Sequence, residues 1–321
     1  MGNNNSEEHK EKESSKTVFF RIALLGVLTI ATIVLLNGNG HVPEGGQEGQ
    51  ESHDIQNANP FEGLFLEAKA AYVYDIAEDR VYFTKNETAQ LPLASLTKVM
   101  TALVASELIS DNTPITLTEE SVAIEGDSGL KPGERWTFRK LLDYTLLVSS
   151  NDGAHAIAGV AGAFVLAEDE NSNPHARFIA RMNQKAHELG LTQSFFINES
   201  GLDVSTAVSG GYGSAKDMGT LTAFTVKRPE ILEATSYSAL HFISEDAFTY
   251  GATNTNAAIG KIPGIIASKT GFTDLAGGNI VVVFNAGINH PVVAVVLGSS
   301  YEGRFNDIEK LVRASLKRIA Q

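Results

Sequence analysis

Residues 264–298 read GIIASKTGFTDLAGGNIVVVFNAGINHPVVAVVLG, three apolar runs broken by glycine-rich joints. Each run is short, rich in Val and Ile, and bounded by Gly, Asn or Pro, which is the composition of strands rather than of core helices. The runs cover residues 264–270, 279–284 and 291–298, and Ala286-Gly287-Ile288-Asn289 supplies a turn between the last two. Three adjacent antiparallel strands are therefore expected. C-terminal to them, residues 306–320 form an amphipathic pattern with Leu311, Val312, Leu316 and Ile319 on one face of a helix. At the other end, residues 70–76 and 80–84 read as a strand pair around an acidic turn. Between these strand regions the patterns are helical, over residues 95–109, 137–148, 152–164, 174–189 and 214–226. Asn173 and Pro174 mark the start of the fourth and Ser214 caps the fifth. The expected fold class is α+β: one antiparallel sheet built from both chain ends, flanked by helices, with a helical lobe inserted in the middle.

The net charge of −13 argues against a nucleic-acid partner, because phosphate binding needs clustered Lys and Arg. With no cysteine among 321 residues, disulfides, thiolate metal sites and a cysteine nucleophile are all excluded. The N-terminus bears on location. Residues 22–36 are uncharged and apolar, and Val18, Phe19 and Phe20 extend the run across Arg21. Lys10, Lys12, Lys16 and Arg21 precede it, and no Lys or Arg follows until Lys69. That asymmetry implies a cytoplasmic tail at residues 1–16, a signal anchor at 17–37 and an extracytoplasmic remainder. Cleavage of the segment, which would release the protein, is the other reading. Residues 38–60 are rich in Gly, Gln, Glu and Asn and have little to bury, so they are expected to form a disordered spacer before a catalytic domain at 61–321.

Three short motifs carry chemistry. Ser95-Leu96-Thr97-Lys98 places a serine and a lysine one helical turn apart, so the lysine can serve as base to a serine that is a poor nucleophile alone. Ser149-Ser150-Asn151 stands at a junction of two helices, where a C-cap followed by an N-cap is the plain structural reading. Lys269-Thr270-Gly271 ends an apolar strand; Lys and Thr there can bind a carboxylate, and the glycine lets a substrate backbone approach. Each motif alone is weak. Their joint occurrence in this order, on helix, helix junction and strand, is the signature of penicillin-binding proteins and class A β-lactamases.

The resemblance extends to the low-molecular-weight penicillin-binding proteins of the serine D-alanyl-D-alanine carboxypeptidase family. The segment from Pro92 to Leu103 resembles their nucleophile segment, and Ser149-Ser150-Asn151-Asp152 their S-G-N-D. Gly201-Leu202-Asp203, Ser214-Ala215-Lys216-Asp217-Met218, Asn254-Thr255-Asn256 and Lys269-Thr270-Gly271-Phe272-Thr273 with Ala276-Gly277 complete the likeness, which spans the folded part from about Ala70 onward. Departures are modest: Ser150 replaces a glycine, Ala267-Ser268 precede Lys269, and residues 168–173 look like an insertion. The C-terminal β-domain of some members is not expected, and the anchor is N-terminal instead. The resemblance implies that Ser95 attacks the terminal D-Ala-D-Ala carbonyl and Lys98 takes its proton. Ser149 and Asn151 complete the polar network and Lys269 sustains its electrostatics. Backbone N–H groups of Ser95 and Phe272 form an oxyanion hole, while Thr270 and Arg304 hold the substrate carboxylate beside Gly271 and Thr273. The implied partners are peptidoglycan pentapeptide stems and, as covalent inhibitors, β-lactams; no cofactor and no metal are implied.

Other readings compete. Gly126-Asp127-Ser128-Gly129 copies a motif of chymotrypsin-like proteases, but that fold is nearly all β and needs His and Asp contexts this sequence lacks. His155, His175, His187, His241 and His290 show no metal-ligand spacing and read as structural. Asp152 reads as a helix cap. A β-lactamase would need a carboxylate such as Glu168 or Glu199 for its deacylating water, and neither has the expected context. A D,D-endopeptidase would use the same machinery, and a β-lactam sensor would stay acylated, with only a short tail for signalling.

Overall fold

In the computed structural model, which describes residues 59–126, 128–166 and 172–321, the valine-rich runs form the middle and one edge of a five-stranded sheet. Its strands are β1 (Ala70–Asp75), β2 (Arg80–Lys85), β3 (Ile265–Thr273), β4 (Gly277–Asn285) and β5 (Pro291–Ser299). The spatial order is β3-β4-β5-β1-β2, and every neighbouring pair is antiparallel. The first strand pairs with the last, Ala70 opposite Leu297 and Asp75 opposite Val292, so both chain ends build one sheet as expected. Pro291 opens β5, the position where a missing N–H is tolerated. The anchor and tail assigned to residues 1–37, and most of the spacer, lie outside the described residues. Among those described, no helix is long and apolar enough to cross a membrane.

Continuous apolar runs form strands here because both sheet faces are covered. Tyr72, Val281, Val283, Val293 and Val295 enter one core, while Val73, Ile280, Val282, Phe284, Ala294 and Val296 enter another. The second core is closed by Phe305, Ile308, Leu311 and Val312 of the C-terminal helix. The first faces α1 (Thr97–Leu108), α2 (Phe138–Val148), α3 (Asn151–Ala163), α4 (Pro174–Glu188) and α5 (Ala215–Thr225). Helix α1 is the hub: every residue from Thr97 to Ala105 is buried. A helix buried all round must be enclosed by other elements. Side chains cap the starts, with Ser150 Oγ accepting from Gly153 N at 2.9 Å and Ser214 Oγ from Asp217 N at 3.0 Å. Asn173 Oδ1 accepts from His175 N at 2.9 Å, with Pro174 in the first turn of α4.

Three boundaries differ from the sequence reading, each with consequences for the site. Strand β3 runs through Lys269-Thr270-Gly271 to Thr273 instead of stopping at Thr270, because Gly271 and Phe272 continue pairing with Asn279 and Gly278. Helix α1 does not begin at Ser95. A 3-10 turn, Ala94–Leu96, precedes it, entered through Ala94 in the left-handed region at φ 48°. The last helix, α6 (Gly303–Ile319), starts three residues before the expected Asn306, where Ser300 Oγ accepts from Gly303 N at 2.9 Å. A hairpin, Ala239–Ile243 with Thr249–Thr253, appears where no strands were expected. Tyr250 from that hairpin donates at 2.6 Å to the buried Glu134 carboxylate, which also accepts from Trp136 Nε1 at 3.3 Å.

Candidate active site

The 3-10 turn holding Ser95 is clamped between two glycines. An added Cβ on Gly271 of β3 would lie 3.0 Å from Leu93 O and 3.0 Å from Ser95 N. One on Gly201, at φ +79°, would overlap Ala94 O at 1.8 Å. Only glycine permits backbone to approach this closely, so the two motif glycines press the Ser95 turn into its strained shape. Strained backbone of this kind fixes where a side chain points before any substrate arrives. Asn279, fully buried in β4, adds a tie by donating to Pro92 O at 3.0 Å.

Ser95 Oγ, in the 3-10 turn ahead of α1, lies 3.0 Å from Lys98 Nζ. The same ammonium donates to Asn151 Oδ1 at 2.7 Å and to Ser200 O at 2.9 Å. Three donors thus meet three acceptors, with Lys98 only 1% exposed. Burial pulls the Lys98 ammonium from the usual 10.5 to about 7, against the opposing pull of Glu199 and Asp152. Once neutral, the amine keeps two N–H donors for Asn151 and Ser200 and turns its lone pair toward Ser95 Oγ. The geometry therefore works in both protonation states. Asn151 is itself fixed from outside, its Nδ2 donating to Glu125 O at 2.7 Å.

Ser149 ends α2 in the left-handed conformation at φ 63°, and its Oγ accepts from Lys269 Nζ at 2.8 Å. Lys269 also donates to Thr270 O at 2.7 Å. Burial first, then the nearby Lys98 and Arg304 charges, hold its ammonium well below the usual lysine value. The capping reading of Ser149-Ser150-Asn151 and its chemical reading hold together: Ser149 ends α2 and the Ser150 side chain caps α3, while the outer two side chains reach the lysines. Ser150 and Asp152 face away, toward Ser128, whose Oγ lies 2.7 Å from each. Ser128 of the Gly126–Gly129 motif thus serves as a clasp on the start of α3.

Arg304, which an exposed position would have paired with Glu302 or Asp307, is 3% exposed and pairs with neither. It leans on the Tyr301 ring at 4.4 Å and donates from Nη1 to Gly271 O at 2.8 Å, directly behind the Lys269-Thr270-Gly271 strand. Its Nε has no partner among the described residues. Phe272, exposed, packs edge-on against Tyr301 at 5.1 Å. Thr270 Oγ1 lies 2.6 Å from Thr255 Oγ1. The Thr273 hydroxyl donates to Asp203 Oδ1 at 3.1 Å and accepts from Ala276 N at 3.2 Å. It fixes the β3–β4 turn to the Gly201-Leu202-Asp203 loop. Ser95, Lys98, Ser149, Asn151, Lys269, Thr270 and Arg304 are thus drawn together from four separate segments. Arg304 stands with two lysines whose charge burial weakens, so the local field is biased positive within a chain of net charge −13.

Sequence reasoning missed the supports behind the lysine. Ser200 O and Glu199 O are held by Lys98 and by Thr101 Oγ1 at 2.6 Å. Glu199 Oε1 lies 2.6 Å from His155 Nδ1, and the His155 and His175 rings stack at 3.9 Å. These three side chains lie within ligand reach of one another, but face-to-face rings do not aim their lone pairs at one point. Thr101, two turns from Ser95 on the buried face of α1, was the available signal.

A serine hydroxyl in hydrogen-bond reach of a buried lysine, backed by a second lysine on an antiparallel edge strand, is an arrangement suited to a serine acyl-enzyme on a helix-flanked sheet. Residues 57–301 match the peptidase S11 family, D-alanyl-D-alanine carboxypeptidase, and the chain belongs to it. It is 32% identical over 244 residues to D-alanyl-D-alanine carboxypeptidase DacF of Bacillus subtilis, covering 74% of this chain and 59% of that protein. It is 30% identical to D-alanyl-D-alanine carboxypeptidase DacB2 of Mycobacterium tuberculosis, covering 74% of this chain and 77% of that one. The fold resembles penicillin-binding protein D2 of Listeria monocytogenes, solved in its ampicillin-bound form, with TM-score 0.65 and 29% identity. That likeness covers 78% of this chain and 98% of the Listeria chain. Other relatives, in Haemophilus influenzae and Pseudomonas aeruginosa, carry the name D-alanyl-D-alanine endopeptidase.

Proposed function

We propose that this chain is a D,D-carboxypeptidase that removes the terminal D-Ala from peptidoglycan pentapeptide stems through an acyl-enzyme on Ser95. The observation that carries it is the buried Lys98 Nζ, 3.0 Å from Ser95 Oγ and able to be neutral near pH 7. Ser95 Oγ attacks the carbonyl carbon of the penultimate D-Ala as Lys98 takes its proton. The developing oxyanion turns to the N–H groups of Ser95 and Phe272. Collapse breaks the peptide bond, and the leaving amine takes a proton through the Ser149 hydroxyl, which Lys269 orients. Water then attacks the acyl carbonyl and restores Ser95. Thr270 and Arg304 hold the leaving D-Ala carboxylate, a free terminus that an internal bond lacks. β-Lactams acylate the same oxygen.

Glu199 is 6% exposed and committed to His155, which speaks against its use as a β-lactamase-type carboxylate beside Ser95. Residues 17–37 anchor the domain on the outer face of the cell membrane in this reading, supported by the charge asymmetry around residues 22–36. Incubation with a muropeptide pentapeptide and with cross-linked dimers, read by mass, tests the reading. Loss of one alanine from the pentapeptide is the expected result; cleavage of dimers alone makes it an endopeptidase instead, and no acylation of Ser95 by labelled penicillin refutes both.

A further inference from the structure

Behind Lys98, on the side away from Ser95, lies a polar cluster that the reaction as written does not use. Glu199 and Ser200 belong to one short loop, and both of their carbonyls are held by α1: Glu199 O accepts from Thr101 Oγ1 at 2.6 Å and Ser200 O from Lys98 Nζ at 2.9 Å. The Glu199 side chain runs the other way, to His155 Nδ1 of α3 at 2.6 Å. His155 is in turn covered by the His175 ring from the first turn of α4, parallel to within 14°. Gly159 leaves the space for this stack, since a Cβ there would stand 3.0 Å from His175 Nε2. Three helices, α1, α3 and α4, therefore converge on one loop that reaches the Lys98 ammonium through the Ser200 carbonyl.

We propose that Glu199 and His155 are positioning residues for Lys98, their ion pair under the His175 ring holding the Ser200 carbonyl on the lysine and balancing the charge the lysine feels. The proposal rests on Lys98 as the base in the reaction above. The charges facing the pair support it. Its bond to Glu199 raises the His155 imidazole above its ordinary value despite burial, with smaller help from Glu120 and Asp152. Burial pushes the Glu199 carboxyl up, yet His155 and its backbone bonds outweigh that and hold it below its usual range. His175, lowered by burial and by His155, is the neutral member of the stack. Glu120 approaches His155 Nε2 at only 4.0 Å and from an exposed position. On the lysine side, Glu199 and Asp152 are the charges that favour the ammonium, opposing burial. A protonated His155 neutralises the first of these. Without it, Glu199 would stand as a bare anion behind the base and keep Lys98 protonated to higher pH.

The two partners therefore predict opposite effects, which a merely structural cluster would not. In the full chain, the rate of acylation by a labelled penicillin is followed from pH 5 to 9. His155→Gln keeps a hydrogen-bond donor but removes the charge, and should move the acid limb upward by about half a pH unit or more. Glu199→Gln should move it downward by a similar amount. Should Glu199→Gln not fold, His155→Gln and His155→Lys decide: the limb rises in the first and returns toward the wild-type position in the second. Limbs that stay at the wild-type pH in the folded variants, or that move in the same direction, overturn the proposal. A wild-type chain with no limb in this range refutes Lys98 as the base, a failure separate from an unmoved limb.

Discussion

Gly271→Ala tests whether the edge strand sets the nucleophile. The new Cβ would meet Leu93 O and Ser95 N at 3.0 Å and Ala94 Cβ at 3.2 Å, where ordinary contact begins at 3.4 Å. None of these atoms is the tip of a flexible side chain, so strand and turn must part by a few tenths of an ångström. The displaced group is the backbone N–H of Ser95 itself, and the shift also moves Gly271 O, on which Arg304 is fixed. A misplacement of about 1 Å costs on the order of a hundredfold in rate, so this smaller shift should slow acylation about tenfold or somewhat more. Overpacking should cost about 1–3 kcal/mol of stability, leaving the protein folded. Gly260→Ala is the control: its Cβ meets nothing within 4 Å and its backbone is not left-handed. Labelled-penicillin acylation rates and thermal melts of both variants separate the effects. A folded Gly271→Ala protein acylating at the wild-type rate, or an equal loss in Gly260→Ala, would refute the reasoning.

Acylation should rise with pH through about 7 as Lys98 loses its proton, falling about a hundredfold by two units below that value. The same depressed value makes the unfolded chain the better proton binder between about 7 and 10.5, so the Lys98 contribution to stability should grow with pH over that window and be flat below it; urea melts at pH 6, 8 and 9.5 read this out. Arg304→Ala should lower kcat/KM on a peptide with a free C-terminal carboxylate by about ten- to a hundredfold. The amidated peptide should be spared, and equal losses on both would remove Arg304 from the carboxylate site. Tyr250→Phe should cost about 1–3 kcal/mol by leaving the buried Glu134 carboxylate short of its 2.6 Å donor, while acylation rates stay unchanged; a slowed acylation would show that the hairpin reaches the site.

How much of this was readable in advance depended on whether a residue's role is local. Strands β4 and β5 announced themselves because valines buried on both faces leave no polar alternation to confuse them. Ser95 and Lys98 are one turn apart in sequence and in space, so their pairing followed from helix geometry. The hairpin of Ala239–Ile243 with Thr249–Thr253 escaped because each strand buries a single residue, Phe242 and Ala252, too little signal for a strand. The 3-10 turn at Ser95 escaped for another reason: it is imposed by Gly201 and Gly271, more than a hundred residues away, and no local pattern encodes it. Arg304 was placed by resemblance, but its burial under Tyr301 goes with α6 starting early, at a glycine whose N–H is held by Ser300 and not by the Glu302 side chain. The stacking of His155 on His175 beside Glu199 combines three elements whose spacing in sequence carries no period.

The pairing of β1 with β5 also bears on the order in which the protein can form. Ala70 finds Leu297 only after every residue of the helical lobe has been made. A chain synthesised from its N-terminus must therefore leave the β1–β2 hairpin with an open edge until its last strand emerges, a state prone to mispairing. Contacts of such high sequence separation slow folding, because the loop they close is nearly the whole domain. The helical lobe, with its local contacts, has time to assemble first and then serve as the surface on which the sheet closes. Lys269 and Thr270 arrive with the late strands, so the surroundings of Ser95 stand incomplete until the end of synthesis.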